Sequence, residues 1–296
     1  MANDLQNVNL AKLAQESLPA AVETFAPLNA FTTDFSPAIA SSGASIGTRY
    51  VDALVGSNMA AGYVAAKEDV TYVPVTIPLD TWKGFTIGFT DLERSKAEFN
   101  LFDDFMVPGL EVCGSLMMTY VWNLVTAANF SASKVVTAAN YDRDIVADLG
   151  GELTDLKNIK TGRSIVHNTS YYTSIVKSLN TAENPGMTAD KTEAIAPRVA
   201  KFDLYESTLA DSNSQNLAAF ACQKSAICIA ARSILVDDRV TAAGVSTATM
   251  IVPGLNLPVQ LREWYDPNVG IQYLNMNVLW GAVRGKPTAG KRILSA

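Results

Sequence analysis

His167 is the only histidine in the chain, so acid–base or metal chemistry that needs imidazole must use it. One histidine cannot make a two-histidine metal site. Cys113, Cys222 and Cys228 form no CxxC pair that could supply the remaining ligands. As the base of a nucleophilic triad His167 would have Ser, Asp and Cys to draw on. Its place at the end of the short apolar run RSIVH favours a packed, hydrogen-bonded imidazole instead. Ser131-Ala-Ser-Lys134 matches the SxxK of serine acyl-transfer enzymes, and Lys160-Thr161-Gly162 matches their KTG. In those enzymes an S-x-N element and most of a domain lie between the two. Here fewer than thirty residues intervene and S-x-N is missing. Gly281-Ala-Val-Arg-Gly285-Lys286 has three residues between its glycines where a phosphate loop has four, and Pro287 replaces the metal-binding hydroxyl. Gly43 to Gly47 lacks the third glycine of a dinucleotide fingerprint. Asp103-Asp104 and Asp237-Asp238 are adjacent pairs whose side chains diverge on any regular element. The expectation is no catalytic constellation, no metal and no cofactor: a protein that is not an enzyme.

Bulk properties narrow the remaining classes. A chain of 296 residues, 48% hydrophobic and 18% charged, can bury a large core in one or two domains. The net charge of −6 argues against DNA binding as the main task, because phosphate neutralisation needs a basic stripe. The first thirty residues mix acids, amides and alanines without a basic start and apolar block, so no export signal is read there. Leu217–Val236, the most apolar run, is broken by Gln223, Lys224 and Arg232 and reads as a packed helix too polar to span a bilayer. The three cysteines read as small buried hydrophobes in a reducing compartment.

The elements that would position any site follow in order. To about Gly43 the sequence reads as an arm, with a short helix from Asn9 to Thr24 interrupted at Pro19. Phe25, Phe31 and Phe35 then lie among turn formers and must dock on their own domain or a neighbour. Ala44 to Asp91 reads as a long two-stranded ribbon, its return strand TYVPVTIPLDTWKGFTIGFT carrying Pro74 and Pro78 and therefore an open edge or bulges. Such a ribbon needs a surface to lie on. Asp103 to Ala128 is the strongest helical pattern, with Pro108 expected in its first turn. Asp144–Leu156 reads as a helix despite Gly150 and Gly151, RSIVH as a strand, and Asn168 as the cap of the next helix. TAENPGMTADKTEAIAPR reads as a loop, FDLYEST as a strand, and NLPVQLREWYD, IQYLNMNVLWGAV and RIL as terminal strands. This order is α+β.

The order of elements and several strings resemble the major capsid proteins of tailed bacteriophages, which share the Hong Kong 97-like capsid fold. LNAFTTDFSPAIASSGASIGTRYV resembles that family's arm entering its extended loop, and TYVPVTIPLDTWKGFTIGFTDLERSK its return strand. Asp103–Ala128 stands where the family has its spine helix. GRSIVHNTSYYTSIVKSLN, then VAKFDLYESTLA with NLAAFACQKSAICIAARS, resemble units of the axial domain, and LNLPVQLREWYDPNVGIQYLNMNVLWGAV the closing peripheral strands. The resemblance implies an arm over 1–43, an extended loop over 44–91, and a peripheral domain over 92–140 and 253–296 that includes the spine helix. An axial domain over 141–252 completes the division. It also implies pentamers and hexamers of the chain closing into an icosahedral shell around double-stranded DNA, touched weakly on the inner face. A scaffolding protein, a portal and a decoration protein would be the partners, no membrane is involved, and the site is the virion, assembled in the host cytoplasm.

Within the ribbon and just beyond it, Arg49, Tyr50, Trp82, Lys83 and Arg94 are the expected inter-subunit contacts. A solvated charge face with locally packed aromatics is the competing reading of each. Some family members join a lysine to an asparagine covalently. Lys67, Lys83 and Asn58 are available residue types here, and no motif decides the matter. The rival functional readings are an encapsulin-like nanocompartment shell, a serine hydrolase using Ser131 or His167, and a small-molecule binding protein.

Overall fold

A computed structural model describes residues 18–39, 45–51, 72–96, 101–179, 198–208, 213–236 and 244–296. The ribbon tip, nearly all of the loop expected from Thr181 and the first half of the expected N-terminal helix lie outside these residues. Helix α1 covers Leu18–Phe25, so Pro19 sits in its first turn, where a missing N–H is harmless. A short 3-10 turn leads to β1 (Thr32–Ile39), which pairs in parallel with β9 (Ile227–Ser233). Phe25, Phe31 and Phe35 are all buried in the main core. The expected arm of residues 1–43 is therefore too long. Residues 18–39 belong to the body, because three buried phenylalanines contribute more there than an extended arm could recover.

The larger sheet has the order β1-β9-β12-β11-β10, where β10 is Ser246–Val252, β11 is Leu257–Asp266 and β12 is Ile271–Arg284; β4 (Thr81–Thr90) also pairs with β12. Strand β4 was expected to continue the ribbon. It runs instead antiparallel to β12 over its whole length, Thr81 opposite Trp280 and Thr90 opposite Ile271. Its alternation explains this: Phe85, Ile87 and Phe89 face the core and pack against it. The ribbon proper is β2 (Ser45–Val51) paired with β3 (Tyr72–Pro78).

After a short helix α2 (Asp91–Lys96), the long helix α3 spans Leu101–Asn123 and covers the core face of the sheet. Met106, Leu110, Cys113, Met117 and Val121 form its buried stripe. Gly109 lets it approach β4, since a Cβ there would meet the Phe85 ring at 2.1 Å. Two expectations need correction. Pro108 lies in the helix interior, because the helix begins at Leu101, and it leaves the Asp104 carbonyl without its usual donor. The helix also ends at Asn123, short of Ala128. There the Asn213 side-chain amide donates to the carbonyls of Trp122 and Val125, and Asn129 to that of Leu124.

The second sheet has the order β5-β13-β8-β6-β7: Ser133–Val135, Gly290–Leu294, Leu217–Gln223, Arg163–His167 and Phe202–Glu206. Helices α4 (Arg143–Asp155) and α5 (Thr169–Leu179) close a second core with it. Asp142 caps α4 through Ile145 N–H, and Asn168 caps α5 through Tyr171 N–H.

Leu217–Val236 is not a helix. It forms β8 and β9, separated by a 3-10 turn at Lys224–Ala226. Both strands lie inside their sheets, so neither shows the polar alternation that marks a half-exposed strand. The larger side chains Leu217, Phe220 and Cys222 enter the main core, while Ala218, Ala219 and Ala221 face the second. The turn at Lys224 carries the chain from one sheet to the other. For the same reason the boundaries expected at 141–252 and 253–296 do not hold. Strands β9 and β10 belong to the larger sheet, and β5 and β13 to the smaller.

Candidate assembly surfaces

The ribbon reaches the body at its base. Ile77 is buried against Cys228 and Ala230, with Ile46, Leu79 and Val283 around it. Gly281 makes this seat possible: a Cβ there would stand 1.8 Å from the Pro78 carbonyl oxygen. Gly281→Ala is therefore expected to lift the ribbon base from the sheet, at a cost of about 1–3 kcal/mol. Faster proteolysis between residues 45 and 78, with the remainder protected, would show it; unchanged cleavage would refute the seat.

Further along the ribbon, Arg49 is exposed and stacks its guanidinium 4.4 Å from the Tyr72 ring centre. Tyr50 points to the opposite ribbon face and is half-buried. Val51 and Tyr72, the outermost described pair, are exposed hydrophobics.

Trp82 stands on β4 with 58% of its surface exposed. It lies on the sheet face away from α3, and its indole Nε1 donates to Asn277 Oδ1 at 3.1 Å. The Arg262 guanidinium lies 5.9 Å from its ring centre and donates from Nε to Gln260 Oε1 at 3.1 Å. Asn277 in turn donates to Asn275, whose amide also reaches Thr86 Oγ1 at 2.8 Å. Trp264 and Tyr273, a directly opposed cross-strand pair, stack beside this network with centroids 5.2 Å apart. The result is a preorganised patch in which amides hold aromatic and arginine side chains, two residue types enriched where proteins meet.

Lys83 is exposed and alternates to the other face of β4. Arg94 lies beyond the far end of β4, on α2, where its charge lies near Glu263. Burial raises the Glu263 carboxyl above the usual range, against the opposing effects of the Gln272 hydrogen bond and Arg94. The five expected contacts therefore fall in three places: the ribbon, the start of β4 and α2. Sequence reasoning missed Gln260, Arg262, Asn275 and Asn277. A period of two would have found them, since they alternate with Val259, Leu261, Leu274, Met276 and Val278 in two strands already recognised as strands.

The remaining chemistry-bearing residues are packed or held by neighbouring side chains. His167 is fully buried; its Nε2 accepts from the Tyr141 hydroxyl at 3.0 Å, and Nδ1–H donates to the Tyr205 carbonyl at 3.4 Å. Burial lowers its pKa to about 4, against that carbonyl bond. Lys134, the lysine of the SxxK string, is held by Asp148 at 3.2 Å and Glu152 at 3.4 Å. Cys113 and Cys222 are fully packed, and burial pushes the Cys113 thiol up to about 12. Among the described residues no group of histidine, cysteine and acidic side chains is placed to hold a metal. Phe105–Asn123 is long and apolar enough to cross a bilayer, but half of it is buried as the core helix α3.

No protein-family model and no curated protein matches the chain in sequence. Solved structures do match in shape. The capsid of cyanophage P-SCSP1u superposes over 90% of this chain and 86% of its own, with TM-score 0.58 and 10% identity. The mature capsid of bacteriophage PhiM1 gives TM-score 0.60 over the same shares, also at 10% identity. A virus-like particle from Pyrococcus furiosus covers 96% of this chain and 98% of its own at TM-score 0.56 and 9% identity. The chain has the mixed helix-and-sheet fold of phage capsid proteins.

Proposed function

We propose that this chain is the major capsid protein of a tailed phage, built on the Hong Kong 97-like fold and assembling through pentamers and hexamers into an icosahedral shell around double-stranded DNA. The observation that carries the reading is the match in shape to phage capsid structures over 90% of the chain. In this reading the larger sheet with α3 is the peripheral domain, and the smaller sheet with α4 and α5 is the axial domain. The paired strands β2 and β3 belong to the extended loop. The ribbon and the Trp82–Arg262 patch join neighbouring copies; many moderate interfaces repeated by symmetry then stabilise a closed shell. Scaffolding, portal and decoration proteins are the partners, with DNA held weakly on the inner face. The subunit has no catalytic role, and it resides in the virion after assembly in the host cytoplasm.

The likeness to the Pyrococcus furiosus particle supports one second reading, an encapsulin-like compartment shell. Size-exclusion chromatography followed by negative-stain microscopy tests the common part. Closed shells, or rings that convert to shells, support it, and a persistent monomer contradicts it. Packaged DNA then favours the phage, and co-purifying enzyme the compartment. Trp82→Ala is expected to reduce shell yield about ten-fold, as a central aromatic contact would, with a small loss of subunit stability from the broken Asn277 hydrogen bond. Arg94→Ala, whose side chain lies beside Glu263 in its own subunit, is expected to reduce it less. Unchanged yield for both variants would remove these residues from the interface.

A further inference from the structure

Among the described residues seven strands are paired on one side only, and six of them carry a feature that discourages a further strand. Pro37 and a register shift interrupt β1, Arg49 charges β2, and Pro74 has no N–H to donate from β3. Lys83 stands on β4, Lys134 on the three-residue β5, and Asp203 on β7. Strand β10 is the exception. Its sequence, STATMIV, has no charge and no proline, and it keeps an unbroken register with β11 over all seven residues. Ile251 on this strand is 43% exposed. An uncharged, unbroken edge rich in β-branched residues is a template for another strand, and a native protein keeps such an edge where its assembly fills it.

Thr247, Thr249 and Ile251 alternate outward on β10, while Met250 and Val252 are buried in the main core and Ala248 packs against it. We infer that β10 pairs antiparallel with β10 of a second copy of this chain, about a two-fold axis through Thr249, so that two larger sheets become one. The strand is complementary to itself about that residue. Thr249 opposes its own symmetry mate, Thr247 opposes Ile251, and Ala248 opposes Met250. Hydroxyl thus meets hydroxyl, β-branched meets β-branched, small meets large, and no charge opposes a like charge. The Trp82 patch leads to the same edge: Thr249 is the register partner of Gln260, Gln260 of Asn277, and Asn277 accepts from Trp82. The pairing carries that patch across the axis into its counterpart on the second copy. The inference deepens the shell reading and rests on it, since a closed shell brings copies together across two-fold axes.

Cysteine placement reads the pairing directly, because Cys113, Cys222 and Cys228 are buried and Thr249 is exposed. Thr249→Cys, in the full chain treated with the thiol oxidant diamide, is expected to give a disulfide-linked dimer in most subunits. Residues opposed across an antiparallel pair lie within disulfide reach. Thr247→Cys and Ile251→Cys are each expected to self-link at least about ten-fold less, since their symmetry mates stand about 14 Å away along the strand. Mixed before assembly, these two variants are expected to link to one another. Adding Thr249→Lys to both sets like charges face to face and is expected to reduce that mutual linkage at least about ten-fold, with the melting temperature unchanged. No linkage of Thr249→Cys, equal self-linkage at all three positions, or linkage to another protein alone overturns the inference. Mutual linkage that the lysine leaves unchanged overturns it as well. Shell formation is scored separately by microscopy: shells without the Thr249 linkage defeat this inference alone, whereas linked dimers that never assemble defeat the shell reading and leave the pairing.

Discussion

Replacing Arg163 by leucine is expected to lower the stability of the subunit by about 4 kcal/mol, read as a shifted urea midpoint with an unchanged slope. Arg163 is only 2% exposed, and no carboxylate accounts for its burial. Its guanidinium donates instead to the carbonyls of Ile159, Gly150 and Asn158 and to Thr154 Oγ1, at 2.7 to 3.0 Å. These acceptors lie in the second half of α4 and in the turn that follows it. One side chain thus supplies donors to the Asn158 and Ile159 carbonyls of the turn, adds further donors to the Gly150 carbonyl and Thr154 Oγ1 on α4, and ties that turn to the first residue of β6. Leucine fills part of the volume and leaves the acceptors buried. Lysine keeps the charge but cannot fan out across four acceptors, so Arg163→Lys should cost about 2 kcal/mol. Wild-type stability in the leucine variant would show that these bonds are matched by water elsewhere.

Acid should weaken the same module through His167. Its pKa in the fold, about 4, lies below the value near 6.5 of an exposed histidine. The fold therefore favours the neutral ring, and the unfolded chain takes up the proton first. The sign follows: the contribution is complete above pH 6.5, falls as pH drops from about 6.5 to about 4, and is fully lost below that, amounting to about 3 kcal/mol. The groups around the ring cannot absorb the charge: Tyr141 and Tyr172 present aromatic rings, and Glu206 is its register partner on β7 with an exposed side chain. Protonation also converts Nε2 from acceptor to donor opposite the Tyr141 hydroxyl. His167→Gln should lower stability at neutral pH yet flatten its dependence between pH 6.5 and 4. The same slope in the glutamine variant would assign the acid response to carboxylates.

Neither residue announces its role in the sequence. Arg163 opens a short apolar strand, where a charge reads as a surface boundary, and only the neighbouring turn of α4 supplies four acceptors. His167 was legible as a packed imidazole because it ends RSIVH, but its hydroxyl partner comes from Tyr141, before α4.

Local pattern by itself determined the ribbon strands, α4 with its glycines, α5 with its Asn168 cap, and the closing hairpin β11–β12. In each, side-chain period and turn chemistry agree over consecutive residues. It also narrows the metal and acid–base chemistry open to the chain, since one histidine and three separated cysteines offer few ligands. Tertiary structure decided the rest. Leu217–Val236 became two strands because both lie inside sheets, and an apolar run buried on two faces carries no period. Thr81–Thr90 left the ribbon because β12 offered an edge ten residues long and α3 a cover for Phe85, Ile87 and Phe89. Phe25, Phe31 and Phe35 turned an expected arm into part of the core. The Trp82–Arg262 patch arose only when β4, β11 and β12 came side by side, because cross-strand neighbours nearly two hundred residues apart, such as Trp82 and Asn277, have no signal in one another's local sequence.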